Sequence, residues 1–504
     1  MRPLFAVGLG LTAVMAAPAL VQAQSVEELY NQGNAAQSVG DYAEAEAIWR
    51  QIIEINPDDA IAHDNLGLAL SSQGRYEEAE TAHREAVRLD PEDGVAYNNL
   101  GNSLYDQGRF EEAEATYREA LRLVPNGAIA SNNLGLTLSA QGRFEEAEAS
   151  YREAIRLDPE YAVAYDNLGS NLYDQQRYEE AEEAYRDAIR LVPDDALGHY
   201  NLGLALSAQG RSQEAEASYR EAIRLDPDYG IAYNNLGNTL AAQDRLEEAE
   251  AAYREAIRLN PNDTIAYYNL GNSLYDQRRL EEAEAAYREA VRLDPEDPLA
   301  HYNLGNSLYD QALFEEAEAS YREAIRLDPE YAIAYNNLGN TLSALEQYDE
   351  AEATIREAIR LEPDYAIAHY NLGLVLFAQG RFEDEEAAYR EAIRLNPDYA
   401  IAYGNLGSNL YEQERYEESE TAHREAIRLN SNDAIAHDNL GLSLFAQGRY
   451  EEAAEAHGEA VRLNPNDAVA YENLGNALLE LGRNEEAEAA FESARSLRDG
   501  GSGQ

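Results

Sequence analysis

An asparagine returns every 34 residues along the chain, at Asn31, Asn65, Asn99, Asn133, Asn167, Asn201, Asn235, Asn269, Asn303, Asn337, Asn371, Asn405, Asn439 and Asn473. An amide side chain is donor and acceptor at once, so a row of them can hydrogen-bond the backbone of an extended peptide without reading its side chains. The same amide can instead bond a neighbouring unit and order the repeat itself, and the sequence leaves both uses open. Three residues further along, the position varies: Leu68, Leu136, Leu204, Leu374 and Leu442 give way elsewhere to Asn102, Asn238, Asn272, Asn306, Asn340 and Asn476, or to Ser170 and Ser408. One turn beyond, Ser71, Ser139 and Ser207 alternate with Tyr105 and Tyr173, before Tyr275, Tyr309, Phe377, Tyr411 and Phe445. The richest aromatic and polar patch is therefore Tyr268, Asn272, Tyr275, Tyr302, Asn306 and Tyr309, a composition suited either to holding an extended polar chain or to packing. With the ladder from Asn99 to Asn371, it forms the candidate binding site.

Other chemistry has little to stand on. The chain has no cysteine, which excludes disulfides, thiolate metal sites and a thiol nucleophile. Eight histidines occur, but His63, His199, His301, His369 and His437 share one repeat position and His83, His423 and His457 another, so they read as packing substitutions rather than metal ligands. No phosphate loop, nucleophile elbow or calcium loop rises above the repeating background. The expectation is no catalytic residue, no cofactor and no metal.

The elements that must carry the ladder follow from periodicity. Pro57, Pro91, Pro125, Pro159, Pro193, Pro227, Pro261, Pro295, Pro329, Pro363, Pro397 and Pro465 keep the 34-residue spacing, with Ser431 in the missing place. In the unit 58–91, apolar residues recur at helical spacing over 60–73 and 76–89, with Gly74 between them and Pro91 barring continuation. Gly74 is expected to take the left-handed conformation that ends the first helix. Gly67 and Ala79 are small where the two helices must approach, while Leu66, Tyr76 and Leu89 supply bulk. Neither helix buries its stripe alone, so hairpins must stack. On the second helix Glu80 and Arg84 read as a solvated i,i+4 pair. Glu385 is the exception to the pattern: thirteen other units place Ala or Ser there, so a carboxylate enters a tight helix contact and loosening is expected in hairpin 364–397. The early units also repeat in pairs, a 68-residue superperiod that fails between about 228 and 363.

These units resemble the tetratricopeptide repeat at nearly every diagnostic position, over residues 24–499. The resemblance implies an all-α fold, a right-handed α-solenoid superhelix of about 14 helical hairpins, whose first helices line a concave face. The asparagine ladder is similar to that in the repeat domain of the O-linked N-acetylglucosamine transferases, whose catalysis belongs to a separate domain, so the resemblance carries no enzymatic activity to these repeats. A peptide-binding subgroup of the family clamps a terminal carboxylate with lysines and arginines. Asp64, Asp166, Tyr200 and Asp438 flank the ladder here, and that clamp is missing.

Residues 1–23 have the parts of a secretory leader: Arg2, an apolar stretch from Leu4 to Leu20 broken by Pro18, and Val21-Gln22-Ala23 before an expected cleavage. Residues 500–504 read as a flexible tail. The 39 basic side chains, every one arginine, face 95 carboxylates, a formal net charge of −56. That excludes nucleic acid as a partner and favours a basic protein segment. The expectation is a periplasmic or secreted scaffold for protein–protein interactions, touching no membrane beyond its leader. Alternatives are a self-assembling structural protein or a subunit of an envelope or polysaccharide-export assembly.

Overall fold

The computed structural model describes residues 25–500, so the expected leader (1–23) and residues 501–504 of the tail lie outside the described residues. Among the described residues there are 28 helices, from α1 (Val26–Ser38) to α28 (Asn484–Gly500), and no strand. They pair as fourteen antiparallel hairpins, one per 34-residue unit. The chain divides into two compact units, the first ending at Ala232 and the second beginning at Tyr233. Within each, hairpins stack in chain order as an all-α solenoid.

Residues 58–91 show why the sequence folds this way. The Asp59 carboxylate accepts the Ala62 N–H at 3.1 Å and opens α3 (Ala60–Ser71), and Gly74, at φ +74°, turns the chain into α4 (Tyr76–Leu89). The invariant glycine of each first helix has a more specific task than closeness alone. A β-carbon at Gly67 would stand 2.4 Å from the His83 ring, and one at Gly305 would stand 2.7 Å from the Tyr321 ring. The glycine is the seat for a bulky side chain on the second helix, a ring in every hairpin but that of Gly339, which faces Ile355. The alanine stripe at Ala79, Ala113, Ala147 and their equivalents is fully buried beside it.

The expected Glu80–Arg84 pair is present, at 2.8 Å, but it is not a solvated-face contact. The Glu80 side chain is only 12 % exposed and also receives Arg109 at 2.6 Å and the Gln107 amide at 3.0 Å, both from the next hairpin. Burial tends to raise its carboxyl pKa, but these donors hold it below the ordinary value. The node recurs as Arg75–Glu46, Arg143–Glu114, Arg177–Glu148 and Arg211–Glu182 in the first unit. In the second unit it recurs as Arg279–Glu250, Arg381–Glu352, Arg415–Glu386 and Arg449–Glu420. Leu313 and Gln347 occupy the arginine's place at two consecutive joints. There the tie moves outward, to Arg288–Glu316 at 2.5 Å and Arg322–Glu350 at 2.7 Å, between side chains about half exposed.

Candidate functional site

Most ladder amides are engaged in the same way: each donates to the preceding hairpin, onto the residue that precedes that hairpin's own ladder asparagine, whereas Asn439, with Gly404 at that place, donates to Ser408 at 3.3 Å. Asn99 reaches Asp64 at 3.0 Å, Asn133 reaches Asn98 at 3.2 Å, Asn167 reaches Asn132 at 2.9 Å and Asn201 reaches Asp166 at 2.9 Å. In the second unit Asn269 donates to Asn234 at 3.1 Å, Asn303 to the Tyr268 hydroxyl at 2.7 Å, Asn337 to the Tyr302 hydroxyl at 3.2 Å and Asn371 to Asn336 at 2.9 Å. One N–H of the amide is thus spent on stitching hairpins together, and a ligand is left the carbonyl and at most the second N–H. The flanking residues Asp64, Asp166 and Asp438 are the acceptors of this stitch, a role the sequence reading did not see.

Four of the six patch residues come together. Tyr275, Tyr302, Asn306 and Tyr309 line a polar cavity of about 340 Å³ with Asp310, Tyr321, Asn337 and Asn340. They stand on α15 (Thr264–Asp276), α17 (Pro298–Asp310), α18 (Phe314–Leu327) and α19 (Ala332–Ala344). Tyr268 and Asn272 are not in its wall: Tyr268 accepts the Asn303 amide, and Asn272 accepts the Tyr287 hydroxyl at 2.8 Å. On the floor, the Tyr321 hydroxyl donates to Asn306 Oδ1 at 2.7 Å, which also accepts the Asn337 amide at 3.0 Å. On one wall the Tyr275 hydroxyl donates to Asp310 Oδ2 at 2.6 Å. Burial and that carboxylate push the Tyr275 phenol up to about 12, so it remains a donor at any physiological pH. Tyr309 packs its ring on Phe314 at 5.4 Å but keeps its hydroxyl free of hydrogen bonds, and the Asn340 amide is likewise uncommitted. These two are the groups a ligand can use without undoing the fold.

The cavity continues. Tyr309 and Asn340 also border a second space of about 360 Å³, with Ser343, Asn371 and Leu374. Leu374 in turn borders a third, of about 580 Å³, on α21 (Ala366–Ala378), α22 (Phe382–Leu395) and α23 (Ala400–Glu412). The result is a trough along the odd-numbered helices of the second unit, with carboxylates in its two end cavities and no cationic side chain in its lining, although the exposed Arg278 pairs with Asp310 at 3.3 Å beside it. Its far end contains Glu385, 2 % exposed, whose Oε2 has no hydrogen-bond partner. Burial raises its carboxyl to about 7, partly offset by Asn409 and Tyr389. The expected loosening of hairpin 364–397 takes the form of this cavity, because α21 and α22 both keep their full length.

The histidines at the start of the first helices bond the backbone, His63 and His369 each reaching a proline carbonyl at 3.0 Å. On the second helices, His83 and His457 pair with Asp64 and Asp438 at 2.9 and 2.6 Å. His423 differs: Gly404 stands where the aspartate would be, both ring nitrogens lack partners, and burial lowers its pKa to about 4. Among the described residues no cluster of three or more His, Cys, Asp or Glu is arranged to hold a metal ion.

A tetratricopeptide-repeat sequence profile matches residues 30–94, 98–162, 167–230, 202–264, 234–298, 268–332, 302–342 and 336–400. A TPR-repeat profile matches 407–448 and 441–482, and a further tetratricopeptide-repeat profile matches 468–498. No curated protein matches the chain. Similar solved structures include the APC/C hetero-tetramer Cut9-Hcn1, at 16 % identity and a TM-score of 0.43, over 90 % of this chain and 96 % of that one. Another is YrrB, described as a TPR protein with an unusual peptide-binding site, at 27 % identity and a TM-score of 0.34, over 36 % of this chain and 95 % of that one.

Proposed function

Since the chain belongs to the tetratricopeptide-repeat family, we propose that it is a non-catalytic interaction scaffold that holds an extended, basic segment of another protein in the trough of its second unit. The observation that carries the reading is the trough itself: three adjoining cavities with free polar groups at Tyr309 and Asn340, carboxylates in the walls of the two end cavities and no cation in the lining. A charge of −56 over the whole chain steers cationic partners toward it and anionic ones away. The regularly spaced side-chain carbonyls of Asn337, Asn371 and Asn405 suit an extended chain, whose own amides recur along its length.

Panning a display library of twelve-residue peptides against the full chain tests this. Enriched peptides are expected to carry net positive charge, to bind with Kd of about 10 µM, and to lose about tenfold in affinity when Tyr309 and Asn340 are both alanine and helicity is unchanged. Enrichment of acidic peptides, or binding indifferent to the double substitution, would remove the trough as the site. The reading also puts the chain in the periplasm or outside the cell, on the strength of residues 1–23. Its check is the N-terminal residue of the exported chain, expected to be Gln24 after removal of the leader.

A further inference from the structure

Resting on that reading, we propose that the cavity at the Glu385 end of the trough is a socket for a primary ammonium on an apolar stem, the side chain of a lysine in the bound segment. Every other hairpin has Ala or Ser where Glu385 stands, each almost fully buried, so the carboxylate is a departure from a position built for a small side chain. Its neighbours are already satisfied: Asp384 holds Arg381 at 2.6 Å, and Glu386 holds Arg390 and Arg415. Of these three carboxylates Glu385 alone keeps an unpartnered buried oxygen, and the residue lines a space of about 580 Å³. Leu374, Phe377 and Phe382 supply an apolar wall, and Phe377 is 58 % exposed at the mouth. A methylene stem gains by covering those surfaces while its charge reaches the carboxylate.

The chemistry selects an ammonium over a guanidinium. A single orphaned oxygen suits a point charge, whereas the planar fork of arginine is matched by two parallel acceptors. The titratable groups around Glu385 are the Tyr389 phenol on its own helix and the Glu412 carboxylate across the cavity, accompanied by the Asn405 and Asn409 amides. No cation competes. This chain contains no lysine at all, so neither its own side chains nor those of a second copy can fill the socket. The occupant is another molecule.

Pentylamine is the probe, with pentan-1-ol as its uncharged counterpart and amide hydrogen exchange of the full chain as the readout. At about pH 8 and about 10 mM amine, a Kd of about 1 mM slows exchange in α22 about tenfold, while the alcohol leaves it unchanged. Glu385→Gln and Glu385→Ala both abolish the effect, and it fades when the pH is lowered to about 5, where the carboxyl is protonated. Equal protection by the alcohol would make the cavity merely apolar. An undiminished amine effect in Glu385→Gln, or none in the wild type, would equally overturn the socket. The amine needs no other part of the trough, so these failures leave the groove reading standing. A peptide that binds regardless of Tyr309 and Asn340 removes that reading without touching the amine result.

Discussion

Replacing Glu385 by alanine stabilises hairpin 366–395 by about 2–3 kcal/mol at about pH 8 and leaves it unchanged at about pH 4. The sign follows from the direction of the shift. The ordinary value of 4.5 is raised to about 7 in the folded chain. Below about pH 4.5 the carboxyl is protonated folded or unfolded, and its burial carries no charge penalty. As the pH rises from 4.5 to about 7, the unfolded hairpin gains an ion in water while the folded one still holds its proton, so the stability present at low pH is lost, completely once the folded carboxyl ionises. The difference between wild type and variant is the quantity to measure, by amide protection across α21–α23, because the opposite trend of His423 cancels in it. That histidine, held to about 4, loses stability as the pH falls from about 6.5. The variant has a precedent within the molecule: Ala147 sits beside Asn171, whose amide reaches Phe144 O at 3.0 Å, as that of Asn409 reaches Phe382 O at 3.0 Å. A variant no more stable than wild type at high pH would mean that the carboxylate has found a partner. A buried charge kept at a cost to its own hairpin is intelligible where binding repays that cost.

Tyr321→Ala costs about 3–5 kcal/mol, and the loss is confined to α17, α18 and α19. The ring is 1 % exposed, fills the seat left by Gly305, lies 5.9 Å from the Tyr302 ring and floors the polar cavity. Its hydroxyl is worth less: Tyr321→Phe costs about 1 kcal/mol, because Asn306 Oδ1 still accepts from Asn337. Residue-resolved hydrogen exchange distinguishes the outcomes. Faster exchange in those three helices, with α3 and α4 untouched, is expected of an array whose hairpins contact only their neighbours. Uniform loss of protection along the chain would instead mean that the hairpins open as one block.

Much of this architecture is legible before any coordinates, because it is periodic. Prolines 34 residues apart, a glycine between two helical stripes and an invariant asparagine together fix where each helix lies and which face repeats. The patch around Tyr302 was visible for the same reason, as a place where polar and aromatic residues crowd the variable positions. What periodicity conceals is the partner of each side chain. Glu80 satisfies the rule for a pair within one helix, and only the stacking distance between hairpins brings Arg109 and Gln107 to it as well. The Gln-x-Arg that recurs before ten of the second helices was the available signal. The stitch from each ladder asparagine to Asp64, Asn98 or Tyr302 is likewise a contact 35 residues away in sequence, invisible to reasoning within a helix. Asp310, beside Tyr309 in the chain, and Asn340, from the following hairpin, complete the cavity. Glu385 could be marked as anomalous, but not the space beside it.

The last joint lacks the node's glutamate, Ala454 standing in its place; the two joints that lack its arginine, at Leu313 and Gln347, are those that the Tyr302 cavity straddles. Nine other joints are tied by glutamates largely withdrawn from solvent, while these two depend on Arg288–Glu316 and Arg322–Glu350, both half in water. Dissolved ions distinguish the two kinds of tie. At about 0.15 M the screening length is about 8 Å, which weakens an exposed pair far more than a sheltered one. Ionic strength therefore acts selectively here: added salt slackens the ground beneath the cavity first and leaves the hairpins on either side braced.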